Sequence, residues 1–136
     1  MNAYERLLKY VVIRTPSNEE SETTPSSQCQ FDLANVLKKE MEELGICDVT
    51  LTDTCFLYGK IPATPGCENA PAIGFIAHMD TVSDYCDHDI KPMITENYDG
   101  EALALGESEL VLSPEMFPHL KSMKGRTLIT SDGTTI

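Results

Sequence analysis

Ala72-Ile73-Gly74-Phe75-Ile76-Ala77-His78-Met79-Asp80-Thr81-Val82 is an apolar run that stops abruptly at a His-x-Asp. From Ala72 to Ala77 the side chains are apolar, and Pro71 stands just before them. A short continuous run of this kind, bounded by turn residues, predicts a strand buried on both faces, as in parallel or mixed α/β sheets. Ligands of such sheets gather at the carboxyl ends of the strands. His78 and Asp80 lie at that end, and residues two apart on an extended backbone point to the same side. A metal-bound histidine needs a partner for its other ring nitrogen, commonly a carboxylate. The pair therefore reads in two ways: a ligand with its orienting carboxylate, or a hydrogen-bonded loop histidine. Metal coordination takes three or four ligands, and the stretch supplies no others.

Upstream, the pattern builds what should surround that strand. Pro62, Pro65 and Gly66 break the chain before it. Val49–Thr52 and Cys55–Ile61 read as two strands joined by Asp53-Thr54, a hairpin without the usual glycine. A helix is predicted over residues 28–44, with Ser26 or Ser27 as its cap and Gly45 as its terminator. Leu33, Val36, Leu37, Met41 and Leu44 form its buried stripe, while Lys38, Lys39, Glu40, Glu42 and Glu43 belong to the solvated side. A first helix over residues 1–14 carries Tyr4, Leu7, Leu8 and Val11 on one face and ends before Pro16. Residues 17–27 are polar, contain Pro25 and read as a loop. The fold class expected from this order is α/β, a mixed sheet with covering helices.

Downstream the character changes. Residues 83–100 are polar and acidic, with Asp84, Asp87, Asp89, Glu96 and Asp99, but without calcium-loop spacing. His88 sits between two aspartates and reads as a solvated loop residue; His119, with no acidic neighbour placed to orient it, reads as a surface residue. Strand-like pieces occur at Ala102–Leu105, Leu110–Leu112 and Thr127–Thr130, and Ser113-Pro114 opens a turn reaching Phe117. Asp132-Gly133 is a turn. A buried strand needs cover on both faces, and two helices cover one. Residues 1–136 thus read as the front part of a domain.

Composition excludes several functions. The 22 acidic against 10 basic residues give a net charge of −12, which argues against nucleic acid as a partner. No run of about 18 apolar residues is present to span a bilayer, and charges interrupt the N-terminal apolar positions, unlike a signal peptide. Five cysteines without a C-x-x-C pair argue against a disulfide framework and a zinc ribbon. Reduced thiols in the cytoplasm are the simplest expectation.

The stretch Gly74–Val82 resembles the first metal motif of the zinc aminopeptidase and deacetylase superfamily, to which carboxypeptidase G and acetylornithine deacetylase belong. Within it, Glu96-Asn97-Tyr98-Asp99-Gly100, Leu112-Ser113-Pro114-Glu115-Met116-Phe117-Pro118 and Leu128-Ile129-Thr130-Ser131-Asp132-Gly133-Thr134-Thr135 are similar to the peptidase T family of cytoplasmic tripeptide aminopeptidases. Arg14-Thr15-Pro16-Ser17 and Glu43-Leu44-Gly45 fit as well, so the resemblance runs from end to end.

That resemblance implies a catalytic domain holding two zinc ions bridged by a carboxylate and a water. Zinc lowers the pKa of bound water towards about 7, supplying hydroxide for attack on a peptide carbonyl. His78 matches a zinc ligand, and Asp80 matches the catalytic-centre aspartate that hydrogen-bonds and tunes it. The family's bridging aspartate, general-base glutamate and remaining ligands match nothing in residues 1–136, and Asp132 does not replace them. The expectation is the N-terminal portion of a catalytic domain, inactive toward tripeptides by itself. The alternative is a non-catalytic module, such as a homo-oligomer that covers the incomplete sheet. A deacetylase or dipeptidase parent of the same superfamily also stays open.

Overall fold

A computed structural model describes residues 1–86 and 88–135. Asp87, one of the acidic residues expected beside His88, lies outside them. The chain divides into two compact units, one of Thr15–Ser83 and one of Met1–Arg14 together with the residues from Asp84 onward.

The Thr15–Ser83 unit is built on α2 (Gln30–Glu43) and the hairpin of β1 (Cys47–Leu51) and β2 (Leu57–Lys60). Leu33 and Ala34 are buried, as expected of a face turned to a sheet. Gly45, at φ +77°, ends α2: its N–H donates to Glu42 O and that of Ile46 to Met41 O. This double bond pattern satisfies carbonyls the helix leaves open. Three details depart from expectation. Leu44, assigned to the buried stripe, is 60% exposed, since it follows the last helical residue. No serine side chain caps α2, since Cys29 holds the N-cap position without a side-chain bond. Glu40, assigned to the solvated side, is buried.

The hairpin forms around Asp53-Thr54 without glycine because the next residue takes the strain. Cys55 sits at φ +64°, its N–H donating to Thr52 O, while Thr52 N–H donates to Phe56 O. A turn followed by one left-handed residue is a standard three-residue hairpin connection. The register slips between Cys47 and Thr50, where Asp48 has φ +55°, so β1 carries a bulge. Opposite it, Gly59 lets α2 approach: a Cβ there would lie 2.4 Å from Met41 Cε and 2.6 Å from Ile46 Cγ2.

The other unit starts with α1 (Ala3–Tyr10), where the Glu5 carboxylate accepts from the Asn2 N–H at its start. α1 is shorter than the expected 1–14, and Tyr4 and Leu7 of its apolar face remain exposed. After the single-turn α3 (Ser83–Cys86), β3 (Pro92–Thr95) pairs antiparallel with β6 (Leu128–Ser131), and β4 (Leu103–Ala104) with β5 (Val111–Leu112). A 3-10 helix runs over Pro118–Met123. Tyr98 is the anchor at 2% exposure; its hydroxyl donates to Glu101 O, and its backbone bonds Arg126 O and Gly125 N–H. β3 falls in the polar, acidic stretch 83–100, where the sequence pattern marks no strand, because its partner lies far along the chain.

The fold class is α/β, with strands in three two-stranded antiparallel pairs among the described residues rather than one mixed sheet. The correction centres on 72–77. This run is not a strand: Ile73, Phe75 and Ile76 are 82%, 95% and 101% exposed. The physical reason is a lack of neighbours. A strand needs an adjacent backbone to take its N–H and C=O groups, and residues 72–77 pair with no strand among the described residues.

Candidate functional site

The His-x-Asp survives that correction, because its geometry is local. His78 Nδ1 lies 3.1 Å from Asp80 Oδ1 and 2.9 Å from Asp80 O. With the proton on Nδ1, the imidazole donates to both oxygens and presents the Nε2 lone pair outward. The side chains are 84% and 47% exposed, so Nε2 is open to a ligand. This is the tautomer that a carboxylate imposes on a metal-binding histidine.

The run before His78 lacks secondary structure, but the residue after Asp80 is fixed. Thr81 forms an isolated parallel bridge with Pro16. Thr81 N–H donates to Thr15 O and Ser17 N–H to Thr81 O, both at 2.9 Å. The Ser17 hydroxyl adds a bond to the same carbonyl at 3.2 Å. Thr15 and Pro16 are buried. Sequence reasoning missed this bridge. The only available signal was Thr15-Pro16-Ser17 itself, which read as a helix stop, and nothing local links it to a residue 64 positions away.

Donors for a complete metal centre are not gathered here. Among the described residues no group of three or more His, Cys, Asp or Glu side chains could hold a metal ion. The donor chemistry thus fits one ligand and its orienting carboxylate, and no reaction step is derived through a metal. His88 Nε2 hydrogen-bonds Thr134 O at 3.0 Å and is exposed, while His119 packs edge-on to Phe117. Asp132 serves its turn: Thr134 N–H and hydroxyl donate to Oδ1, and Lys91 Nζ stands 3.7 Å from Oδ2. Those hydrogen bonds, that of the Thr134 hydroxyl foremost, hold its carboxyl below the usual range. Burial pushes the Cys55 thiol up, away from a reactive thiolate. No described helix is long and apolar enough to cross a membrane.

No family model matches the chain. It is, however, similar to proteins named Peptidase T: 46% identical to that of Alkaliphilus oremlandii over 99% of this chain, 44% to that of Bacillus cereus and 50% to that of Desulfitobacterium hafniense, each over 97%. These matches cover 34%, 32% and 32% of the relatives, so the chain spans about a third of the length of the curated relatives it matches. Along almost all of its own length, then, the chain is homologous to peptidase T.

Proposed function

We propose that these residues form the N-terminal part of the catalytic domain of a zinc-dependent aminopeptidase that releases the N-terminal residue from tripeptides in cytoplasmic peptide breakdown. His78 supplies one zinc ligand through Nε2, and Asp80 holds it through Nδ1. The remaining ligands, the bridging carboxylate and the general base would come from outside residues 1–136, and this segment alone does not hydrolyse tripeptides. One observation carries the reading: the Nδ1 contact to Asp80, made in a sequence 44–50% identical to peptidase T. When bound, zinc supplies a hydroxide at neutral pH; the part played by this segment is to hold one imidazole in a single tautomer.

The test is to isolate the product from its own cells with an antibody against residues 1–136. Its release of the N-terminal residue from a tripeptide is then assayed before and after chelation. The expected result is a species larger than 15.0 kDa whose activity is lost on chelation, restored by zinc and abolished by His78→Ala. Zinc-dependent hydrolysis by the purified 136-residue chain would overturn the claim that it is inactive alone.

A second reading, a self-associating non-catalytic module, is favoured by the exposed Ile73, Phe75 and Ile76. A contiguous exposed apolar segment marks a surface that associates with a partner. It requires a 15.0 kDa cellular species that sediments as a dimer or larger.

A further inference from the structure

We propose that Ser17, with the backbone of Thr15, is a positioning element for the His78 imidazole; the proposal rests on the reading of His78 as a ligand only in what it says the positioning is for. The pair itself is exposed, and the run before it has no strand partner to hold it. What fixes it is the bridge one residue later. Thr81 is bonded on both sides, its N–H to Thr15 O and its carbonyl to Ser17 N–H, with the Ser17 hydroxyl on the same carbonyl. Asp80, adjacent to that locked residue, presents both its carbonyl and its carboxylate to His78 Nδ1.

The anchor is buried where the pair is not: Thr15 is 3% exposed against 84% for the His78 side chain. Pro16 suits the centre of this bridge. In a parallel bridge the flanking residues make the bonds, so the N–H that proline lacks is not used. Gln30 of α2 reaches Pro16 O through Nε2 at 3.5 Å, which ties the bridge to the helix. The path from α2 to Nε2 of His78 therefore runs through Gln30, Pro16, Thr81 and Asp80, all inside the Thr15–Ser83 unit.

The experiment uses the 136-residue chain with ring-nitrogen NMR of His78, which reports the tautomer directly. Ser17→Pro removes both the N–H and the hydroxyl that bond Thr81 O, whereas Ser17→Ala removes the hydroxyl alone. In wild type and Ser17→Ala the proton is expected on Nδ1. In Ser17→Pro the signal should move toward the Nε2–H form that a free imidazole prefers, while the β1–β2 hairpin amides stay in place. An unchanged tautomer in Ser17→Pro, with the Thr81 amide exchanging freely, would overturn the positioning role. Should Ser17→Pro lose the hairpin signals, an ester replacing the residue 17 amide in Ser17→Ala takes its place, since it removes the same N–H and hydroxyl without proline, with the same shift expected and an unchanged tautomer again decisive against the proposal. Zinc added to wild type separates the two readings. If Nε2 does not respond to zinc while the tautomer still depends on Ser17, the ligand reading fails and the positioning role stands.

Discussion

Gly133→Ala tests the packing of the β4–β5 loop against the Asp132-Gly133 turn. Gly133 sits at φ +82°, a conformation that costs an L-residue about 1–2 kcal/mol. Its Cβ would also lie 2.2 Å from Ser108 Oγ and 3.0 Å from both Leu105 Cβ and Ser108 Cβ. Ser108 cannot simply swing aside, because its hydroxyl donates to Leu105 O at 2.6 Å and accepts from Leu110 N–H at 3.2 Å. Moving it sacrifices one or both bonds, at about 0.5–1.5 kcal/mol each. The substitution should therefore destabilise this region by about 2–4 kcal/mol. The assay is native-state hydrogen exchange of the Leu105 amide, which bonds Leu110 O across the loop. Exchange should accelerate by about 30- to 1,000-fold. Adding Ser108→Gly removes the clashing atoms and should return the steric share, leaving the cost of φ. A change below about threefold for Gly133→Ala would refute the reasoning. So would strict additivity in the double variant, because the contact would then not be the cause.

Leu33→Ala removes a buried side chain from α2 at 8% exposure while keeping helix propensity high. It should cost about 2–3 kcal/mol in urea unfolding followed through the Thr15–Ser83 unit. His78→Ala, at an 84% exposed side chain, should leave the same curve within about 0.5 kcal/mol while removing the ring-nitrogen signals. Asp132 has its carboxyl held below the ordinary range by the Thr134 hydrogen bonds, so it binds its proton more weakly folded than unfolded. Its contribution is complete above the ordinary aspartate value of about 3.9 and is lost as pH falls through the lower folded value. A carboxyl-carbon titration should show a depressed midpoint, and Asp132→Asn should remove that acid-dependent loosening of the 131–135 turn.

Elements that depend on nearby residues were legible in the sequence. α2 falls within its expected bounds because its apolar spacing and Gly45 are local signals. The β1–β2 hairpin was legible in place but not in detail, since nothing forecast that Cys55 would take the left-handed residue usually assigned to glycine. Glu40 was misplaced by treating charge as exposure, and β3 was hidden by its acidic surroundings. The Ala72–Ala77 run was read from composition, which reports how much apolar surface a segment would bury but not whether a partner is present to bury it.

The same distinction explains why the His78–Asp80 contact forms where the predicted strand does not. Strand formation at 72–77 requires a neighbouring backbone supplied from elsewhere, which no local signal can provide. The His78–Asp80 contact requires only that a short side chain two residues on reach back to Nδ1, which turn geometry delivers without a sheet. One long-range contact is still needed to keep that turn in place, and it is the bridge from Thr15 and Ser17 to Thr81. An exposed imidazole held by a charge-assisted bond gains little stability from it, because solvent screens the pair. The value of the arrangement would lie in the tautomer it selects, with the proton on Nδ1 and the Nε2 lone pair free. That selection is worth nothing to folding, which is why His78→Ala should leave the unfolding curve unmoved, and everything to a ligand that needs one particular nitrogen.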